Sequence, residues 1–174
     1  MTAFTTSRLT VRPWETALDD ADTRGPLEAR LRLLLTPAVL EHLPPGFGPD
    51  PGPQGMDRWI ALRREKAQVS LIERDAGLIG LLFLFSPEGE EGQHLGYLLG
   101  EAYWGQGYGS ELVQGVVAHM RNGPPQSLHA GVTVDNPASA RVLLKAGFKE
   151  DMADPRNGMR SFIYADDKST QPKT

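Results

Sequence analysis

Trp104-Gly105-Gln106-Gly107-Tyr108-Gly109-Ser110 is the stretch on which the reading of this chain turns. Leu95 to Leu99, just before it, is apolar and of strand length. Glu111 to Met120, just after it, carries Leu112, Val113, Val116, Val117 and Met120 at helical spacing. Glycine at every second position lets the main chain approach a ligand closely and expose its N–H groups. A helix start adds amides without intrahelical acceptors and the positive end of the dipole. Such a corner suits a phosphate or pyrophosphate. Three glycines can also simply turn a chain, and on the glycines alone the two readings stand level.

Spacing tests two other phosphate loops. A Walker A loop needs Gly, four residues, then Gly-Lys-Ser/Thr, and no such run occurs. A dinucleotide fingerprint needs G-x-G-x-x-G, and here Gly109 arrives one residue early.

Working outward, Leu9-Thr10-Val11 reads as a first strand closed by Pro13, and Leu27 to Leu35 as a helix burying Leu27, Leu31, Leu34 and Leu35. Pro44 to Pro53 is a loop by its proline and glycine content, and Asp57 to Ala67 is a second helix. Val69 to Glu73 and Gly77 to Phe85 flank Arg74-Asp75-Ala76 as a hairpin, with Gly77 available for the strained position. Glu88 to Gln93 is a polar turn. Leu128 to Val134 is a strand, and Pro137 to Ala146 a helix stopped by Gly147 in a left-handed cap. Lys149 to Asp154 and Met159 to Tyr164 form a last hairpin around Asn157-Gly158. The expectation is a mixed α+β fold in one domain, 1–165, with a polar tail, 166–174.

The 174 residues are 40% hydrophobic and 23% charged, which excludes general disorder. No cysteine is present, so disulfides, thiolate metal sites and a cysteine nucleophile are excluded together. Met1 to Thr10 lacks the basic flank and apolar run of a signal peptide, and the longest apolar run, Leu78 to Phe85, is far short of a membrane span. A cytoplasmic protein is expected. A net charge of −4 gives no pull towards nucleic acid or an anionic membrane. No metal cluster or nucleophilic triad emerges.

Gly96-Tyr97-Leu98-Leu99 followed by Tyr103 to Glu111 resembles the acyl-CoA-binding motif of the GNAT acetyltransferase superfamily, Gln/Arg-x-x-Gly-x-Gly/Ala, with Trp104 at the Gln/Arg position. Asn136-Pro137-Ala138-Ser139 through Lys145-Ala146-Gly147-Phe148 is similar to a second motif, Asn-x-x-Ser…Lys-x-Gly-Phe, of the branch containing bacterial ribosomal-protein N-terminal acetyltransferases. Thr6-Ser7-Arg8-Leu9…Arg12-Pro13 resembles that branch's common opening.

The resemblance implies a sheet, mostly antiparallel, splayed between its fourth and fifth strands, Leu95 to Leu99 and Leu128 to Val134, with helices on both faces. It implies acetyl-CoA as cosubstrate, its pantetheine arm pairing with main chain of Leu98, Leu99 and Gly100. An amide near Leu99 would receive the oxyanion. Amides of Gly105, Gln106, Gly107, Tyr108, Gly109 and Ser110 would hold the pyrophosphate, while Trp104 packs under the loop. Asn136 would bond the pantetheine as well as cap its helix. Ser139, which lies near the cofactor sulfur in that branch, would stabilise or protonate the leaving thiolate; many other members place a tyrosine at the position of Leu143. Lys145, with Arg141 one turn before it, could serve the 3′-phosphate or be a solvated face.

Glu101 is the first candidate for the base, against the reading of a solvated loop carboxylate. His94, His129 and Glu111 are weaker candidates, and a water relay stays open. Tyr97 is either core or a wall of the acceptor pocket. Ala17 to Ala67, with Phe47 and Trp59, and the last hairpin are expected to choose the acceptor, a protein N-terminus or a small-molecule amine. Dimerisation is common in the branch. Two other classes remain: a non-catalytic acyl-CoA-binding module, and an unrelated nucleotide-binding domain.

Overall fold

A computed structural model of the chain describes residues 1–89, 92–123, 127–151 and 159–165. The strands are β1 (Phe4–Thr5), β2 (Thr10–Pro13), β3 (Gln68–Arg74), β4 (Gly77–Phe85), β5 (Gln93–Leu99), β6 (Ser127–Thr133), β7 (Lys149–Asp151) and β8 (Met159–Ala165). The helices are α1 (Glu15–Asp19), α2 (Ala21–Leu34), α3 (Pro37–Glu41), α4 (Gly55–Lys66), α5 (Tyr108–Arg121) and α6 (Pro137–Lys145). The fold is mixed α+β, as the sequence led us to expect. Packing divides it into two compact units, Met1–Phe85 with Gly96–Tyr108, and Ser86–Leu95 with Gly109–Thr174.

In the first unit the hydrogen-bonded order is β1-β2-β3-β4, followed by the Gly96–Leu99 end of β5. β1 to β4 pair antiparallel, with Val11 opposite Ile72 and Leu71 opposite Leu81. β3 and β4 are buried along almost their whole length, so neither alternates, which is the pattern of strands covered on both faces. Val69, Leu71, Leu81 and Phe83 meet Leu27, Leu31 and Leu34 of α2 and Met56, Trp59 and Ile60 of α4 in one core. Trp14 and Trp59 sit edge to face at 5.9 Å inside it.

Phe47 anchors the proline-rich loop: its carbonyl accepts from Trp59 Nε1 at 2.6 Å and Arg63 Nη2 at 2.8 Å. The Arg63 guanidinium lies 4.0 Å over the Phe47 ring, and burial pulls its pKa below the usual arginine value. Trp59, expected on the acceptor side, is 3% exposed and is a core residue.

In the second unit the start of β5 pairs parallel with β6, Gln93 opposite Leu128 and His94 opposite His129. β6, β8 and β7 follow, joined antiparallel. β6 buries Leu128, Ala130 and Val132 in strict alternation, and α5 buries Leu112, Val113, Val116, Val117 and Met120. Gly147 holds the left-handed cap after α6 at φ 93°. The Asn157-Gly158 turn and the tail lie outside the described residues.

Several expectations shift. β1, α1 and α3 were not legible, and α2 begins six residues early because Asp20 caps it, accepting from Asp22 N at 2.8 Å, despite Gly25-Pro26 inside. The strained turn positions between β3 and β4 fall on Asp75 (φ 49°) and Ala76 (φ 61°), while Gly77 opens β4. Register explains this: Arg74 pairs with Gly77, which leaves a two-residue loop needing positive φ at both positions. No helix among the described residues is long and apolar enough to cross a membrane.

Two measurements follow. Alanine in the left-handed region costs about 1 kcal/mol, so Ala76→Gly is expected to raise stability by about that amount in urea unfolding. In the second unit the Arg160 fork bonds Glu150 at 2.7 and 2.8 Å and, with its charge, holds the Glu150 carboxyl below its ordinary value against the opposing pull of burial. A depressed carboxyl stabilises the folded state above its unfolded pKa and loses that contribution as pH falls through the folded one. Glu150→Gln should therefore flatten the loss of urea midpoint between about pH 5 and about pH 3, and an unchanged slope would remove the pair from acid stability.

Candidate active site

The glycine segment is built in the first unit as a series of pinned carbonyls. β5 ends where Gly100 N–H donates to Ile79 O at 2.9 Å. A 3₁₀ turn, Glu101–Tyr103, follows, with Tyr103 N–H donating to Gly100 O at 2.9 Å. Trp104 Nε1 reaches back to Leu99 O at 2.7 Å, and Gln106 Nε2 to Ala102 O at 2.6 Å. Trp104 thus bolts the loop to the strand end, and it is 42% exposed with His42 beside it at 5.9 Å.

Gly105 and Gly107 take φ of 71° and 82°, where any L side chain is strained. Left-handed glycines alternating with other residues curl successive N–H groups towards one concave side, an anion nest. α5 then begins at Tyr108, three residues earlier than expected, so Gly109 and Ser110 lie in its first turn, whose amides have no intrahelical acceptor. The geometry fits a pyrophosphate.

Tyr108 is 2% exposed and fixes the loop's exit. Arg8 stacks over its ring at 4.2 Å, Arg74 Nη1 donates to its hydroxyl, and Tyr103 meets it edge to face at 6.1 Å. Arg8 Nη1 also donates to Gln106 O at 3.2 Å. In the sequence Arg8 stands only in the opening motif and Arg74 only in the turn between two strands.

Glu101 is exposed, and its carboxylate accepts from Thr36 Oγ1 at 2.6 Å. The same hydroxyl caps α3 by accepting from Val39 N–H at 3.3 Å. Nothing in the sequence marked Thr36. Leu98 and Leu99 are buried, and Leu98 belongs to the core of this unit; Tyr97 is half-buried. The N–H of Gly100 donates to Ile79 O, and Leu99 O accepts from Trp104 Nε1.

In the second unit Asn136 and Ser139 come together: Asn136 Oδ1 accepts from Ser139 N–H at 3.0 Å, capping α6. That bond takes the acceptor end of the amide, and its Nδ2 is the donor end. Leu143 is 1% exposed and packs in the core, so the position of the family's tyrosine has become an apolar anchor. Lys145 and Arg141 are exposed, with Lys145 in the last turn of α6. His94 and His129 stack at 5.3 Å, and His129 Nε2 lies 3.2 Å from Ser127 Oγ, so both belong to the β5–β6 pairing. Glu111 lies in the first turn of α5. Among the described residues no group of three or more histidines, aspartates or glutamates could hold a metal ion.

A family model described as an acetyltransferase (GNAT) domain matches residues 8–149. Solved structures of similar fold include a GNAT-family acetyltransferase from Bacillus anthracis, at 18% identity over 94% of this chain and 97% of that one, with a TM-score of 0.69. An acetyl transferase from Salmonella typhimurium that modifies the N-terminal serine of a ribosomal subunit protein matches at 20% identity over 92% and 96%, with a TM-score of 0.64. The spermidine N-acetyltransferase from Vibrio cholerae, solved with CoA and spermine, matches at 17% identity over 91% and 96%, with a TM-score of 0.66. No curated protein matches the sequence. The family match runs from Arg8 through the glycine loop and α6 to Lys149, and on that evidence the chain belongs to the GNAT acetyltransferases.

Proposed function

We propose that the chain transfers an acetyl group from acetyl-CoA directly to a primary amine, carried by a small molecule or by a protein N-terminus. The observation that carries the reading is the pinned loop with left-handed Gly105 and Gly107 running into α5, in a chain of this family. Solved relatives of both acceptor kinds share the fold. A cytoplasmic location is part of the proposal and is supported by the absence of cysteine.

In this reading the amides of Gly105 to Ser110 receive the pyrophosphate and the main chain of Leu98 and Leu99 pairs with the pantetheine by strand addition. Asn136 Nδ2 donates to the same arm, Trp104 keeps the loop in place, and Lys145 meets the 3′-phosphate. Tyr97 lines the acceptor side.

The amine nitrogen attacks the thioester carbonyl. The C–N bond forms, the C–S bond breaks, and an N–H near Leu99 donates to the oxygen that carries the developing charge. Glu101 takes the proton released by the amine, and the Ser139 hydroxyl returns a proton to the departing thiolate. Thr36 holds the Glu101 carboxylate by one oxygen, which leaves the other for the acceptor.

The first test is thiol release from acetyl-CoA across a panel of diamines, aminoglycosides and peptides with free N-termini. Turnover with one class identifies the acceptor, whereas CoA binding without turnover anywhere favours the non-catalytic module. Calorimetry with CoA, ATP and NAD accompanies it, and tighter ATP or NAD binding would overturn the cosubstrate. Removal of a positioned acid or base costs roughly 100-fold, so Ser139→Ala and Glu101→Gln are each expected to lower kcat by about that factor with KM for acetyl-CoA little changed. Wild-type kcat in either variant excludes that residue from the chemistry.

A further inference from the structure

Arg8 lies between β1 and β2, yet its guanidinium bonds the glycine loop 98 residues further along the chain. It donates from Nη1 to Gln106 O at 3.2 Å, and its Cζ lies over the Tyr108 ring, 4.2 Å from the centroid. A Cβ placed on Gly107 would sit 3.6 Å from its Nη2, so a side chain there would meet the guanidinium. The ring beneath it is itself immobilised, by burial, by Tyr103 at its edge and by Arg74 at its hydroxyl.

A planar trans peptide sends its C=O and N–H in opposite directions, and no peptide among the described residues is cis. A group that holds Gln106 O on one side of the loop therefore aims Gly107 N–H at the other. At Gly107 the backbone has no side chain to restrict it, so without an external hold this peptide is the one most able to rotate. Because the donor is charged, the bond is stronger than a neutral one and polarises the peptide, leaving its N–H a better partner for an anion.

We infer that Arg8 is a positioning residue for cosubstrate binding: by holding the Gln106 carbonyl it presets the Gly107 amide towards the pyrophosphate. This deepens the proposed function and rests on acetyl-CoA being the ligand of the loop. It assigns no contact between Arg8 and the cosubstrate. A lysine would keep the charge and lose the planar guanidinium, with its position over Tyr108, that directs the bond.

The test uses the full chain and two thioesters, acetyl-CoA and acetyl-pantetheine, which lacks the pyrophosphate and nucleotide. In Arg8→Ala the KM for acetyl-CoA is expected to rise about tenfold, the worth of one directed hydrogen bond. Meanwhile kcat stays within about twofold, and KM for acetyl-pantetheine does not move. Equal changes for both thioesters would reduce Arg8 to a fold-stabilising residue, and no change for acetyl-CoA would overturn the inference directly. Arg8→Lys is the second variant, decisive if the alanine form does not fold. It is expected to retain most of the KM defect, and a wild-type KM would mean that charge alone suffices. If the wild type neither binds CoA nor turns over, it is the proposed function that fails.

Discussion

A main chain that offers its N–H groups to a ligand must find work for the carbonyls on its other side. In and just before the glycine segment, five carbonyls have such partners. The indole of Trp104 takes Leu99 O, the Tyr103 amide takes Gly100 O, the Trp104 amide takes Glu101 O, the Gln106 side chain takes Ala102 O and Arg8 takes Gln106 O. Each bond removes a rotational option before any ligand arrives, so the ordering cost of binding is met in folding. Much of the surrounding structure follows from this constraint. Gly100 is sewn to β4 through Ile79, and Tyr108 is buried so that the helix starts at a defined point.

The first unit supplies the rigidity behind that loop. β3 and β4, buried on both faces, carry the core on which α2 and α4 lie. The two ends of α3 then return to the loop, through the Thr36 hydroxyl on Glu101 and the His42 ring beside Trp104. The segment expected to choose the acceptor therefore touches the residues that lead into the glycine loop. On its far side the proline-rich stretch is tied down at one atom, Phe47 O, by two donors from α4.

The elements that sequence made legible are those with a local signature. The glycine loop, the cap at Gly147, the Asn136–Ser139 helix start and the apolar stripe of α5 each depend on residues close in the chain. What stayed hidden depends on tertiary partners. α2 continues back through Gly25-Pro26 because Asp20 caps it and Leu27 and Leu31 are buried, which local propensity argues against. Ala76 adopts a conformation glycine would prefer because the β3–β4 register leaves only two residues to turn. The roles of Arg8, Arg74 and Thr36 have no sequence signal beyond their identity, since their partners lie 98, 34 and 65 residues away. Leu143 shows the opposite case: its departure from the family's tyrosine was visible at once, and burial supplies the reason it is leucine.

The span from Arg8 to Gln106 also has a consequence in time. A nascent chain presents the partner of Arg8 only 98 residues after Arg8 itself. At elongation rates of roughly 5–20 residues per second, the interval is about 5–20 s. Through that interval α2, α4 and the β3–β4 hairpin can already close on their own neighbours, because every one of their core partners up to Phe83 precedes the loop. The brace is thus among the last long-range bonds of its unit to become possible during synthesis, and the nest it shapes is completed on a scaffold that has already set.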